Sequence, residues 1–506
     1  MTLTMQTGSI LSRAFLGTIA VFALIVLVPR AVKAEESTPF QWQRDALFQS
    51  LEQEFLLARD RPFEQVSREM AELETEGRAL LAAVAQSGTT VLFSVLARLE
   101  TVQFRMAARA AAHPRLLEQL QRFIVAVRTT VTNAARFWPR GNDVRNALYR
   151  LLYGGRVAVE EAWIQNRTEV LPELLYVEDA PSATPAVVIE GVRVHSGDIL
   201  LSRAGAPTSA LIARGSDYSG SFSHAALVYV DPENGNLIVI ESLIEKGAVR
   251  NTFEAYLRDK KRRILLLRPR QEHPVLQPHP DAPHRAAEHM LSQVSKGRID
   301  YDFSMDWKDT SRFFCPEVLY HAYAHVDITL WHYMTTLASP GLRAWMSDMG
   351  VRHYTLPLPS DLEYDPFLAT VAEWRNADVL KEDRLDNAIM DALLEEADKG
   401  LRLGYSSMKV PFAGMTKFWG LFQSVFGADR TIPKGMSVAT ALRVDSLANK
   451  VYPALRTALR QRTEAFRNEK SYEPPYWTLL ALARTVLQEQ EPRLSPALYR
   501  ISRTPE

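Results

Sequence analysis

Apolar residues recur at helical spacing through the first third of the chain. Leu47, Leu51 and Phe55 fall on one face, and Val91, Val95 and Leu99 repeat the pattern further along. The spacing predicts an all-helical region over residues 41–180, punctuated by Pro114 and Pro139 and broken at Gly154-Gly155. Near Pro181 the pattern changes. Ala186-Val187-Val188-Ile189, Val192-Arg193-Val194 and Asp198-Ile199-Leu200-Leu201 are short β-prone runs, with turn signals at Glu190-Gly191 and Ser196-Gly197. Residues 210–213 fit a helical turn. Two further strands, 225–230 and 237–240, flank Asp231-Pro232-Glu233-Asn234-Gly235-Asn236, which carries an Asn-Gly hairpin signal. Another strand spans 263–267. A helix follows over 283–295, with proline at its start, and the next one opens at Cys315. Helical periodicity returns over 378–399, closing at Gly400, then over 443–467, where Pro453 is placed to kink or split it, and over 475–490. The expected architecture is an α+β domain over 181–375 between helical regions at 41–180 and 376–506.

Charge adds two points. The chain has 506 residues, and 59 basic residues balance 59 acidic ones, which argues against bulk attraction to nucleic acid. Locally, roughly ten arginines fall between Arg105 and Arg156 with few acids among them. They read as a solvated helix face or as a surface for an anionic partner such as a membrane, which would make membrane contact peripheral.

The N-terminus reads as an export signal over residues 1–34. Arg13 precedes an apolar run of about fifteen residues, short of the roughly twenty that span a bilayer. Val32-Lys33-Ala34 offers a cleavage site before Glu35 and Glu36, whereas Arg30 and Lys33 are the flanks of an uncleaved anchor. Either way the bulk of the chain is expected in the periplasm or cell envelope. A second apolar stretch, with Met415, Phe418, Trp419, Leu421, Phe422, Val425 and Phe426, suits core packing or lipid contact.

The candidate chemistry begins with one cysteine. Cys315 precedes Pro316, which suits a first helical turn, so the thiol is expected at the N-cap, where the helix dipole favours a thiolate. If Val230 pairs with Leu237 across the hairpin loop, His224 lies opposite Leu243 and diagonal to Glu241 on the same sheet face; a two-residue Asn-Gly turn would instead pair His224 with Glu245 and preserve the face. A carboxylate there would hold one imidazole nitrogen. Cys315, His224 and Glu241 are the residue types of a nucleophile, its base and an orienting group, although spacing alone does not bring the cysteine helix to the hairpin. Asp198 reads as a turn residue and Glu317 as a first-turn carboxylate. His321 and His325 stand at i and i+4, but with no acidic partner or further cysteine no metal site is expected.

The order of these pieces resembles a family. Gly197-Asp198-Ile199-Leu200, the Ser223-His224 strand start, Ile240-Glu241, Tyr301-Asp302-Phe303 and Phe314-Cys315-Pro316-Glu317-Val318-Leu319-Tyr320 are similar to YiiX/YaeF-like permuted papain-like cysteine hydrolases of the NlpC/P60 superfamily. The resemblance covers about residues 186–370 and leaves out both helical flanks. It implies a circularly permuted papain-like domain, in which histidine comes first, then its polar partner, then cysteine. Cys315 would be the nucleophile, His224 the base and Glu241 the orienting residue, with Tyr301, Asp302 and Ser223 near the substrate. Pro316 departs from the family, which more often has serine there. The implied reaction is amide hydrolysis through a thioester, with no cofactor and no metal. The substrate would be a cell-wall peptide. Alternatives are an acyl-amide or lipid substrate, for a hydrolase or acyltransferase at the membrane, and a non-catalytic envelope scaffold.

Overall fold

Helical periodicity in the first third resolves into α1 (Ala46–Arg59), α2 (Phe63–Ala85), α3 (Phe93–Ala112), α4 (Leu117–Ala135) and α5 (Asn142–Ile164). This computed structural model describes residues 46–165, 171–258, 261–406 and 434–501. The expected export signal over 1–34 and the apolar stretch from Met415 to Phe426 lie outside the described residues. Pro114 starts a single 3-10 turn between α3 and α4. The break expected at Gly154-Gly155 does not occur, because α5 runs through both glycines. A Cβ at Gly155 would lie 3.1 Å from Gln103 Oε1 and 3.3 Å from Ile124. The missing side chain therefore lets α5 approach α3 and α4 closely, and this packing outweighs the weak helix propensity of glycine.

The middle of the chain builds one seven-stranded sheet and two small two-stranded ones. Its elements in order are β1 (Leu174–Tyr176), β2 (Ala186–Ile189), β3 (Val192–His195), β4 (Ile199–Ala204), α6 (Pro207–Arg214), β5 (His224–Val230), β6 (Leu237–Leu243), β7 (Gly247–Thr252), α7 (Phe253–Arg258) and β8 (Lys261–Pro269). There follow α8 (Ala282–Lys296), α9 (Cys315–Ala324), β9 (Thr335–Thr336), α10 (Pro340–Asp348), β10 (Thr355–Leu356) and β11 (Leu368–Trp374). Seven strands pair in the order β1-β11-β8-β4-β5-β6-β7, every neighbour antiparallel. The two small sheets are β2–β3 and β9–β10. One face (Leu201, Ala225, Leu227, Ile240) packs on α8 and α9. The other (Leu200, Ala226, Val228, Val239) packs on α7 and the β2–β3 hairpin.

The last part holds α11 (Ala377–Asp398), β12 (Leu401–Leu403), α12 (Val438–Ser446), α13 (Tyr452–Lys470), α14 (Tyr476–Gln490) and β13 (Leu498–Arg500). Two expectations change. Strand β1 falls within the region read as all-helical and extends the sheet, and β12 pairs with β13 in a two-stranded ribbon. Gly400, at φ +101, ends α11 and lets the chain reverse, and Leu401 and Leu403 then point into the core. The helix expected over 443–467 continues through a π-helical turn, Leu447–Val451, that ends just before Pro453. Among the described residues no helix is long and apolar enough to cross a membrane.

The arginine-rich stretch is not a free basic face. Eight of its ten arginines (105, 109, 122, 128, 136, 145, 150 and 156) pair with carboxylates of this chain. Arg128 and Arg156 are buried and share Glu363, at 2.7 and 2.5 Å. Arg156 also meets Glu373 on β11. Glu160, one turn beyond Arg156, pairs with Arg263 of β8 at 2.7 Å. Arg263 and Arg203 then share Asp383 of α11, at 3.0 and 3.1 Å. One buried series of ion pairs thus joins the first helices, the sheet and α11.

Breaking a buried pair leaves an uncompensated charge and costs about 3–5 kcal/mol. We expect Glu363→Gln to lower unfolding free energy in urea by about that amount, against under about 1 kcal/mol for the exposed Glu118→Gln. Burial opposes ionisation of Glu373, but Arg156, Arg375 and Arg263 overcome it and hold its carboxyl down at about 2, from an ordinary 4.5. A depressed folded value stabilises above the unfolded one. Its contribution is therefore complete above about pH 4.5 and is lost as pH falls towards 2. A Glu373→Gln variant should show a shallower fall in stability between pH 4.5 and 3 than wild type.

Candidate active site

The β5–β6 hairpin sets the first two residues. Val230 pairs with Leu237 and Ala226 with Glu241, the first of the two registers the sequence allows. Asp231 and Asn236 close the loop, and Gly235 takes the positive φ of +72 that the turn needs. Side chains alternate, so His224, Ala226 and Glu241 share a face. His224 Nε2 lies 2.6 Å from Glu241 Oε2. The second oxygen of Glu241 accepts from Asn251 Nδ2 on β7 at 2.7 Å. The Tyr256 ring of α7 stacks on His224, with centroids 6.4 Å apart.

Cys315 arrives from the opposite face of the sheet. Val318, Leu319 and Ala322 of α9 are buried beneath it, so the helix axis is fixed by packing. Ser242 Oγ of β6 donates to the Phe313 carbonyl at 2.5 Å and anchors the approach. The N-cap is Phe314, with extended φ −85 and ψ 170, and Cys315 is the first helical residue, one position beyond the expectation. Glu317 is the cause: its Oε2 accepts the Phe314 N–H at 2.7 Å, and its own N–H donates to the Phe314 carbonyl at 3.1 Å. The thiol sulfur sits 3.9 Å from the Ser223 carbonyl, and Cys315 and His224 are close enough to couple electrostatically. With Nε2 engaged by Glu241, Nδ1 is the ring nitrogen left for sulfur.

The electrostatics follow from that packing. Burial disfavours a charged His224, but the hydrogen bonds to Cys315 and Glu241 and their charges prevail, lifting it from 6.5 to about 9. Burial acts on Glu241 in the opposite sense, yet His224, Lys261 and Asn251 hold its carboxyl below the ordinary range. Glu317 differs. Burial, with the nearby Asp302 and Cys315, pushes it up to about 9 against the Phe314 N–H bond. It is therefore a neutral carboxyl at pH 7.

The remaining expected residues fall nearby in different ways. Ser223 presents its carbonyl to the thiol, while its hydroxyl bonds Ser209 of α6 at 2.5 Å. Tyr301 is buried within electrostatic reach of Cys315 and Glu317, and packs on Phe303. Asp302 is buried, and its oxygens accept from Ser304 and Asp306 at 2.6–2.9 Å, shaping the loop before α9. Asp198 is held by Arg268 and by the His195 N–H, as a turn residue is. His321 stacks on Phe313 and His325 on His289, and among the described residues no His/Cys/Asp/Glu group could hold a metal. Asn251 and Tyr256 were not foreseen. The sequence did carry a signal for Asn251. Once residues 247–252 are read as a third strand, Val249 and Asn251 alternate onto the face of Glu241.

Residues 193–371 match the family model described as permuted papain-like amidase enzyme, YaeF/YiiX, C92 family. The match runs from β3 into β11 and includes all of the β5–β6 hairpin and α9. It places the protein among cysteine amidase/peptidase-type hydrolases. Neither the curated proteins nor the solved structures gave a match. In the amidase domain, cysteine follows histidine and glutamate in the chain, and the antiparallel sheet brings the three together regardless of that order.

A histidine raised to about 9 stabilises the fold below its unfolded value of 6.5 and loses that contribution as pH climbs to 9. Iodoacetamide should alkylate wild-type Cys315 at pH 6 about tenfold or more faster than it alkylates the His224→Ala variant. The opposite result, equal rates at pH 6, would separate the thiol from the imidazole.

Proposed function

We propose that Cys315, His224 and Glu241 form the catalytic triad of an exported amide hydrolase. The observation that supports this reading best is the imidazole held between two partners. Glu241 bonds Nε2 at 2.6 Å, and the thiol at the start of α9 lies beside the Ser223 carbonyl, within electrostatic reach of the ring. In this reading the Cys315 thiolate attacks the amide carbonyl carbon. The tetrahedral oxyanion is met by the Cys315 backbone N–H at the positive end of α9. The His224 imidazolium then gives its proton to the leaving nitrogen, the C–N bond breaks, and an acyl thioester remains. Neutral His224 next takes a proton from water, whose oxygen attacks the thioester. Carboxylic acid leaves, and thiolate and imidazolium are restored. Glu241 stays ionised and orients the ring throughout. Asn251, bonded to the far oxygen of Glu241, holds that carboxylate in place.

A cell-wall stem peptide suits this reading, because the sequence of residues 1–34 carries the features of an export signal. Purified protein should release a free amine from stem peptides. Cys315→Ala and His224→Ala should each lower kcat by about 10³-fold or more, and Glu241→Gln by less, with folding intact by thermal unfolding. The panel should include N-acyl amines as the alternative amide. Wild-type turnover that survives Cys315→Ala would overturn the triad. A phenotype rescued fully by the Cys315→Ala chain would favour a scaffold. Export predicts a mature N-terminus near Glu35 by mass spectrometry of the envelope fraction, or the intact segment if it anchors the chain.

A further inference from the structure

A second cavity lies away from the thiol, between α1, α3, α5, α11 and α14. Its volume is about 500 Å³, and none of Cys315, His224 and Glu241 lines it. Protein cores leave few voids larger than a water molecule, whereas ligand sites occupy about 300–1,000 Å³. Phe104, Ala107, Ala108 and Ala111 make the α3 side of the wall apolar, with Phe48 and Trp477 also in the lining, while Glu52, Glu161, Arg384 and Glu395 bring charge to the α1, α5 and α11 sides. Alanine recurs along α3 at 107, 108 and 111, where larger residues would close the space.

Arg214, the last residue of α6, and Asp217, on the loop that follows, are two of the polar residues in the lining. Arg214 is engaged by neighbours of this chain. It donates twice to Asp391 at 2.8 Å and once to Tyr153 at 2.7 Å, and Tyr476 donates to the same Asp391 at 2.6 Å. Asp217 is not saturated. It is 3% exposed and lines the cavity, and one carboxylate oxygen accepts the Ala338 N–H at 2.8 Å. The other, Oδ2, is buried with no hydrogen-bond partner. A buried acceptor left unpaired is costly and rare. Set at the end of an apolar cavity, it is poised to accept from a ligand.

We propose that this cavity binds a single-chain amphiphile, its aliphatic chain along the α3 wall and a hydrogen-bond-donating amine or hydroxyl head on Asp217. The apolar wall selects the chain, and the acceptor-only carboxylate selects the head group and rejects an anionic one. The site stands independently of the amide-hydrolase reading, since its lining shares no residue with the triad. The loop from Asp217 to Ser221 leads through Phe222 and Ser223 into His224.

The test uses the full chain and three probes of equal length, dodecylamine, dodecanol and dodecanoate, each below its micelle concentration at pH 7.5. Calorimetric titration should give one site per chain for the amine and the alcohol, with dodecanoate bound at least tenfold more weakly. Asp217→Asn should bring dodecanoate to within about threefold of dodecanol. Ala108→Phe, which fills the wall, should abolish all three. If thermal unfolding shows that Ala108→Phe does not fold, Ala111→Phe at the half-buried rim takes its place. Equal binding of the three probes to wild type, no binding of any, or affinity unchanged by the filling variant would each overturn the proposal. Cys315 alkylation rates remain a separate readout, so failure here leaves the triad untouched and failure of the triad leaves this site untouched.

Discussion

A guanidinium keeps its charge when buried, because its proton is not released at any pH the protein meets. Arg156, 4% exposed in the middle of α5, therefore dictates what surrounds it. It needs carboxylates, and they come from distant parts of the sequence: Glu363 just before β11 and Glu373 within it. The same logic repeats at Arg263 and Arg203, whose shared partner Asp383 lies on α11. Apolar packing alone would tolerate sliding between helices and sheet. Buried ion pairs do not, since any shift large enough to separate them strands a charge in a low-dielectric interior. These contacts fix the register of three regions even if their net contribution to stability is modest.

That register reaches the site. The Arg156 guanidinium lies 5.1 Å above the Phe222 ring, two residues before His224. Phe222 is further held by Ser360, which accepts its N–H and donates to its carbonyl at 3.0 and 2.8 Å. Gly220 makes that contact feasible, since a Cβ there would sit 2.2 Å from the Ser360 side chain. The strand carrying His224 is thus clamped at its start, where the thiol approaches. A reacting pair gains from such clamping, because small misplacements of the groups are costly. Loop geometry by itself would not supply it.

Local rules made much of this visible in advance. The loop left two hairpin registers open, and the two-residue alternation put His224 on the face of Glu241 in either. Proline after Cys315 marked a helix start to within one residue, and the error came from Glu317, whose cap on the Phe314 N–H is a side-chain choice that periodicity does not report. What stayed hidden was long-range. Leu368 to Trp374 is a strand because β8 offers it an open edge, and nothing local marks it. Gly154-Gly155 looked like a break because propensity was read without the neighbours that demand small residues. The run of arginines looked like a surface because its carboxylates lie tens to hundreds of residues away.

That last misreading bears on what the flanking helices are for. A charged face on α3 to α5 would have argued for an external anionic partner, and internal pairing removes most of that argument. The helices instead turn their apolar and small residues inward, and α3, α5 and α11 meet around the 500 Å³ cavity. The ion pair of Arg263 with Glu160 lines it, and Arg263 also pairs with Asp383 of α11, so α5 and α11 are tied through one guanidinium at a set separation. Collapse of the cavity would bring α5 and α11 closer and would strain those pairs. An apolar space propped open by buried charge is difficult to explain as imperfect packing, because a few larger side chains on α3 would have filled it. The same network that positions the strand of His224 therefore also keeps the cavity from closing, which makes the two features consequences of one constraint.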